Sequence, residues 1–196
     1  ILLDDEIEGK IMASSDYSFR KIGSEVPVLS DEASLFDPLC PPSKPLAVSE
    51  RFRLLFVAHP KGFCVTKTAD VMTAAEKVEV EGKCSSIQEF SLVDVPLENV
   101  SMLSLSSDDA LLAASVTNEV HFFAVSALLH KEQKPSFSIS LDDFISIKDV
   151  CWSKILAKEY LILSADGKLY HGSGQGPLNL VAEGVDCGMP CIYLCI

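Results

Sequence analysis

The sequence predicts an all-β fold, an incomplete β-propeller of about three four-stranded blades. A unit of strand, polar loop, apolar strand, tight turn and strand occurs three times along the chain. The first strand of each unit ends in a serine, and the residue numbers of Ser49, Ser106 and Ser153 differ by 57 and then by 47. Units of four short strands at this spacing are typical of propeller blades.

The first unit combines the apolar runs 46–49, 54–58 and 63–66. Its tight turn contains Pro60, which presets the turn dihedral, and Gly62, which relieves the far end of the turn. Residues 69–77 have a helical composition, so we expect a short helix in the loop that leaves this blade. This insertion accounts for the longer spacing between the first two serines.

The second and third units repeat the same order. Their strands are predicted at 102–106, 111–116 and 120–125, and at 148–153, 160–164 and 168–171, with weaker fourth strands at 136–140 and 178–182. The turns are Thr117-Asn118 and Asp166-Gly167, and Asp-Gly between two apolar runs is a strong hairpin signal. An antiparallel β-sandwich with a chance repeat is the alternative, but a sandwich would not be expected to repeat this order three times.

We divide the chain into three parts. Residues 1–45 form an acidic, proline-rich N-terminal arm with one possible short strand at 26–29, residues 46–186 form blades one to three, and residues 187–196 form a divergent, cysteine-rich tail. The first residue is not Met, so we expect the natural protein to begin earlier. The tail is interpreted as a truncated or alternative terminus.

The composition excludes several classes of function. The formal net charge of −12 disfavours direct nucleic-acid binding and favours a basic protein partner. No apolar run reaches the ~18 residues that a membrane span needs, so no membrane insertion is expected. Seven irregularly spaced cysteines, including Cys64, Cys84 and Cys151 in apolar runs, indicate reduced thiols in a cytosolic or nuclear compartment.

No catalytic, cofactor-binding or metal site emerges from the motifs, and no enzyme activity is expected. The glycine-rich run 172–176 is not followed by a helix start, so it is interpreted as a turn. His121 and His171 are expected to pack or face solvent. Cys187, Cys191 and Cys195 are four residues apart, whereas zinc sites usually use closer pairs.

Four acidic residues in predicted loops are weak candidates for partner binding. They form the pairs Asp108-Asp109 and Asp142-Asp143, and solvated turns are their ordinary interpretation. Trp152 precedes the serine that ends the innermost strand of the third unit. An aromatic side chain there is expected to wedge between neighbouring blades as part of the core.

Several runs resemble one known family. They are Pro45 to Arg51, Leu55 to His59, Leu103 to Ser106, Val120 to Phe123, Lys134 to Ser138, and Asp149 to Ser153, with Asp16 to Gly23 as a lead-in. Together they resemble the N-terminal propeller of the large cytoplasmic-face nucleoporin with Phe-Gly repeats, and they are closest to plant members. The resemblance covers roughly residues 16–186.

The resemblance implies a role at the cytoplasmic face of the nuclear pore complex in messenger-RNA export. Family members have WD40-like propellers of about seven blades that dock a DEAD-box RNA helicase, compete with RNA for its surface and work beside other nucleoporins. This chain departs from the family because it contains no Phe-Gly dipeptide. Its last ten residues also replace the expected start of another blade.

Two other functions stay open. The chain could be a WD-type scaffold of another intracellular complex, although the usual Gly-His and Trp-Asp signatures are missing. An enzyme built on a propeller would need a nucleophile–base pair or a metal-ligand set, and none is evident. Because three blades cannot close a ring, we also expect the isolated chain to aggregate or to be partly disordered.

Overall fold

Three four-stranded antiparallel sheets make up the protein, in agreement with the predicted propeller blades. The computed structural model describes residues 23–30, 36–82, 85–142 and 144–185. In each sheet the strands neighbour one another in chain order, from first to fourth. The first strands of adjacent sheets contact each other, which stacks the three sheets in sequence. The fold is a set of three propeller blades.

The bounds of the elements follow the repeats closely. Blade one contains β1 (Leu46–Ser49), β2 (Leu54–His59), β3 (Gly62–Lys67), helices α1 (Thr68–Glu81) and α2 (Ile87–Phe90), and β4 (Val93–Pro96). Blade two contains β5 (Val100–Leu105), β6 (Leu111–Val116), β7 (Glu119–Ala124), helix α3 (Val125–Leu129) and β8 (Phe137–Ser140). Blade three contains β9 (Ile147–Trp152), β10 (Glu159–Ser164), β11 (Leu169–Ser173) and β12 (Asn179–Ala182).

The predicted hairpin turns are confirmed. His59 pairs with Gly62 across the Pro60-Lys61 turn. A Cβ at Gly62 would lie 1.9 Å from the carbonyl oxygen of Val95, so β4 can approach β3 here only because residue 62 is glycine. Gly167 takes the left-handed conformation that the Asp-Gly turn requires, with φ of 81°.

Most of the core lies between the blades. Leu54, Phe56 and Phe63 of blade one pack against a blade-two face that includes Leu112 and Phe123. Each of these side chains is at most 2% exposed. Successive side chains along a strand point to opposite faces of the sheet, so each sheet has apolar residues on both faces. One blade can therefore pack against two neighbouring blades.

The second interface is built around aromatic rings. Trp152 meets Phe122 of blade two edge-on at 5.8 Å between ring centroids, and it also contacts Tyr160 of its own blade. Its indole N–H donates a hydrogen bond of 3.2 Å to the carbonyl oxygen of Ser104 in β5. The predicted position of Trp152 as a wedge between blades is confirmed.

Blade one differs from the sequence-based expectation in its helices and last strand. The helix predicted at 69–77 is present and longer, from Thr68 to Glu81. Its exposed C-terminal end is closed by Gly82, with φ of 65°. The fourth strand β4 was not predicted, because the four residues Val93–Pro96 follow a 25-residue connection and are too few to show alternation.

The strand predicted at 26–29 is wrong. The carbonyl groups of Pro27 and Val28 instead accept hydrogen bonds from the N–H groups of Ile87 and Gln88, at the start of α2. A helix N-terminus exposes unpaired N–H groups, and an irregular segment can satisfy them without a partner strand. Val26 and Val28 also pack against blade one, so the described part 23–30 of the arm covers the outer face of this blade.

No helix among the described residues is long and apolar enough to cross a membrane.

Candidate functional site

The antiparallel order gives the stack of blades two distinct ends. One end, here named the serine end, carries the loops 50–53, 106–110 and 153–158 that follow the repeated serines, and also α1, α2 and α3. The other, the turn end, carries the tight turns of the central hairpins and the links between blades. Any binding surface at one end is separated from the other by the length of the strands.

The four candidate acidic residues do not form one site. Asp108 and Asp109 lie at the serine end, between β5 and β6, whereas Asp142 follows β8 at the turn end. Asp143 lies outside the described residues. The sequence offered the two pairs together as weak partner-binding candidates, and the fold places Asp142 on the surface opposite to Asp108 and Asp109.

Asp109 joins blade one to blade two. Its Oδ2 accepts hydrogen bonds from the Ser49 hydroxyl at 2.7 Å and from the Arg51 main-chain N–H at 3.2 Å. The residue is held in the left-handed region, with φ of 58°, where aspartate is tolerated better than most side chains. This carboxylate is therefore engaged within the fold, and it is not simply a solvated turn.

Asp108 stabilises the adjoining loop. Its Oδ1 accepts hydrogen bonds from the Ser106 hydroxyl at 2.7 Å and from the Ala110 N–H at 3.1 Å. The hydrogen bond from Ser106 is the main reason that the pKa of Asp108 is lowered. Together with Val48, Glu50, Arg51, Ser107 and Asp109 this residue lines a shallow groove between blades one and two.

The repeated serines have a common structural role. The Ser49 hydroxyl oxygen accepts from the Phe52 N–H, that of Ser106 from the Leu111 N–H, and that of Ser153 from the Ile155 and Leu156 N–H groups. Each serine thus binds the backbone of the following loop or of the first residue after it, which explains why this residue recurs at the end of the first strand.

Sequence analysis missed a polar cluster on the outer face of blade one. His59, Cys64 and Asp94, here named the His–Cys–Asp cluster, each offer one ligand atom within 4.8 Å of the other two. His59 Nε2 is 2.9 Å from Asp94 Oδ1, and Cys64 Sγ is 3.8 Å from the same oxygen. The Gln88 amide donates to Asp94 Oδ2 at 2.6 Å.

Burial defines the chemistry of this cluster. His59 is 2% exposed and Cys64 is fully buried, and the Nδ1 atom of His59 has no hydrogen-bond partner among the described residues. Burial, and then the nearby charge of Asp94, raise the pKa of the Cys64 thiol to about 12. The hairpin signal around 59–64 could have placed His59 and Cys64 together, but Asp94 required the unpredicted strand β4.

The other cysteines and histidines are dispersed. Cys40 is exposed and Cys151 is partly buried. Cys84, Cys187, Cys191 and Cys195 lie outside the described residues. His121 contacts Ser138 and Glu119 in blade two, and His171 contacts Glu159 in blade three, so these two histidines belong to separate local pairs.

The sequence matches no protein-family model and no curated protein. The structure is similar to a chain in an S. cerevisiae complex of a Dbp5 variant bound to Nup159, a Gle1 variant, IP6 and ADP. The TM-score is 0.58 at 12% sequence identity, and the match covers 87% of this chain and 40% of that one. For the N-terminal domain of Nup159 the TM-score is 0.51 at 10% identity, covering 74% of this chain and 35% of that one.

A third similar structure is the β-propeller domain of Myceliophteria thermophila Cps50 (Swd1). Its TM-score is 0.50 at 13% identity, covering 72% of this chain and 43% of that one. This chain therefore spans less than half the length of each of the three. At these identities the likeness establishes the fold, which is that of a β-propeller.

Proposed function

We propose that this protein is a protein-docking β-propeller of the nuclear pore complex. It would act at the cytoplasmic face in messenger-RNA export, bind a DEAD-box RNA helicase and work beside other nucleoporins. The proposal is carried by the likeness to a chain of the complex that contains Dbp5 and Nup159. The sequence runs that resemble a large cytoplasmic-face nucleoporin support the same role.

Electrostatics gives the proposal a mechanism. A helicase surface that binds RNA must be basic, and a chain with a net charge of −12 can occupy it by long-range attraction. We assign docking to the serine end, where the 14 residues of α1 include four acidic side chains and one lysine. A docking role of this kind requires no catalytic residues in this chain.

Binding to an export helicase can be tested directly. The full chain and a purified DEAD-box helicase of messenger-RNA export are mixed at about 50 mM and about 500 mM salt, and binding is followed by calorimetry. We expect binding at low salt, at least tenfold weaker binding at high salt, and displacement of the chain by single-stranded RNA. The absence of binding at low salt would overturn the proposal.

A pair of charge-reversal variants locates the surface. The double variant Glu50→Lys/Glu79→Lys changes the serine end, and Asp142→Lys/Glu183→Lys changes the turn end by the same net charge; all four side chains are exposed. We expect the first variant to lose at least tenfold in affinity and the second to lose much less. Equal losses would show that total charge matters and would contradict docking through the serine end.

A propeller scaffold of another complex is the second candidate, and the likeness to the Cps50 (Swd1) propeller favours it. Localisation separates the two functions. A fluorescently tagged full chain expressed in a plant cell should line the nuclear rim if it docks at the pore. A diffuse nucleoplasmic signal with no rim would favour the scaffold.

A further inference from the structure

The His–Cys–Asp cluster is positioned by the backbone of blade one. Cys64 and Asp94 are directly paired on the neighbouring strands β3 and β4, and Val57 is paired with Cys64 on the other side. Because side chains two residues apart on a strand point to the same face, His59 lies on the face that carries Val57. Three strands thus bring a nitrogen, a sulfur and an oxygen ligand atom together.

This donor set is that of a transition-metal site. Imidazole nitrogen and thiolate sulfur are preferred ligands of Zn²⁺, and a carboxylate oxygen is compatible with them. With metal–ligand bonds of about 2.0–2.3 Å, the ligand atoms of a tetrahedral zinc site are roughly 3–4 Å apart. The observed separations of 2.9 Å and 3.8 Å from Asp94 Oδ1 lie at that scale.

We propose that the His–Cys–Asp cluster binds one zinc ion, through His59 Nε2, Cys64 Sγ and a carboxylate oxygen of Asp94. The fourth position is taken by water or by the side-chain oxygen of Gln88. On binding, the Cys64 thiol releases its proton to solvent. The thiolate and the carboxylate then balance the two positive charges of the ion, so no net charge is left in the buried site.

The surroundings support a metal site. Gln88 of α2 donates to Asp94 Oδ2 and orients the carboxylate, and Gln133 donates to the Asp94 main-chain oxygen at 2.7 Å, which fixes the backbone of β4 at this residue. Such outer contacts orient metal ligands in known sites. Apolar side chains of Val57 and Ile87 exclude water on the other side of Cys64, and the 35% exposure of the Asp94 side chain provides a route for the ion.

Cobalt substitution gives a direct readout of the sulfur ligand. The full chain is stripped with a chelator and titrated with Co²⁺ alone, and then Zn²⁺ is added to displace it. We expect one cobalt ion per chain with a thiolate-to-cobalt charge-transfer band, which Zn²⁺ abolishes. The band should disappear in Cys64→Ser and persist in Cys151→Ser and Cys40→Ser.

Cobalt binding by the cysteines of the tail must be distinguished from binding at the His–Cys–Asp cluster. The triple variant Cys187→Ser/Cys191→Ser/Cys195→Ser should keep the band. If that variant loses the band while Cys64→Ser keeps it, or if the wild type binds no cobalt, the proposal is overturned. The His59–Asp94 contact would then be an ordinary structural hydrogen bond.

A second variant covers the case in which Cys64→Ser does not fold. Asp94→Asn keeps the size of the side chain and is partly exposed, so it should preserve the fold, as judged by circular dichroism. We expect its zinc affinity to fall by about 10-fold or more. Zinc should raise the unfolding midpoint of the wild type and raise that of Asp94→Asn much less, and equal shifts would contradict the proposal.

Discussion

Asp109 connects two blades through a single side chain. Asp109→Ala removes the acceptor for Ser49, whose side chain is fully buried, and puts alanine in a left-handed conformation. We expect the free energy of unfolding in urea to fall by about 1–3 kcal/mol. Asp109→Asn keeps an acceptor oxygen and tolerates this backbone, so it should lose less.

Asp142→Ala is the matched control for Asp109, because Asp142 is an exposed aspartate in a turn-end loop. Its stability should change by no more than about 0.5 kcal/mol. If Asp109→Ala were as stable as Asp142→Ala, the contact between the blades would contribute nothing.

The thiols of Cys40 and Cys64 should differ sharply in reactivity. Cys40 is exposed, whereas Cys64 is buried with a pKa raised to about 12 from an ordinary value of 9.0. At pH 8, far below the raised pKa of about 12, the Cys64 thiol stays protonated. The thiolate is the reactive form, so Cys64 should react slowly. With a chelator present, iodoacetamide at pH 8 should label Cys40 rapidly and Cys64 only after unfolding.

Peptide mass spectrometry measures both labelling rates in one sample. In denaturant the two cysteines should react alike, which serves as the internal control. Labelling of native Cys64 as fast as Cys40 would show that the outer face of blade one is open to solvent.

At the scale of the element, the repeated serine closes the loop after each first strand. Ser106→Ala leaves the Leu111 N–H without this acceptor and removes the donor to Asp108. We expect a loss of about 1–3 kcal/mol in unfolding free energy, and a smaller loss for Ser153→Ala, because Ser153 is only partly buried.

The same variant has a spectroscopic readout. The pKa of Asp108 is lowered chiefly by the hydrogen bond from Ser106, so in Ser106→Ala it should rise towards the ordinary value of 3.8. A lowered carboxyl pKa stabilises the fold above the unfolded pKa, and that contribution is lost as the pH falls. An NMR titration with the same Asp108 pKa in wild type and variant would contradict this assignment.

At the scale of the whole molecule, Lys44 ties the three blades together. Its segment, just before β1, pairs with β5, since the N–H of Leu103 donates to the Lys44 carbonyl at 2.8 Å. Its ammonium group lies 2.5 Å from Asp149 of β9, a residue 105 positions away and 5% exposed. One residue of the arm, two positions before the first strand of blade one, therefore contacts both other blades.

Lys44→Met should destabilise the protein by about 1–2 kcal/mol, because a buried carboxylate loses a cationic partner. The side chain of Lys44 is 40% exposed, so solvent screening keeps the loss below that of a fully buried pair. Lys61→Met, at an exposed turn-end position, is the control. If the three blades unfold together, urea denaturation of Lys44→Met should show one transition with the same slope as the wild type. A second transition would indicate that the blades unfold separately.

Local signals in the sequence determined the strands, the turns and the serines that end the first strands. Periodicity and turn chemistry depend on neighbouring residues, so the Asp-Gly turn, the helix after β3 and the buried position of Trp152 could be predicted. The segment 26–29 was misassigned for the same reason. It has a strand-like composition, but its hydrogen-bond partners at 87 and 88 lie far along the chain.

The propeller fold was predictable from the sequence because each blade is a local repeat. Only the tertiary structure decided which polar residues meet. It separated Asp142 from Asp108 and Asp109 by the length of the strands, joined Asp109 to Ser49, and assembled the His–Cys–Asp cluster through β4. These contacts depend on the register between strands and on the stacking of the blades. Both are set by residues that lie far apart along the chain, so neither could be predicted from neighbouring residues alone.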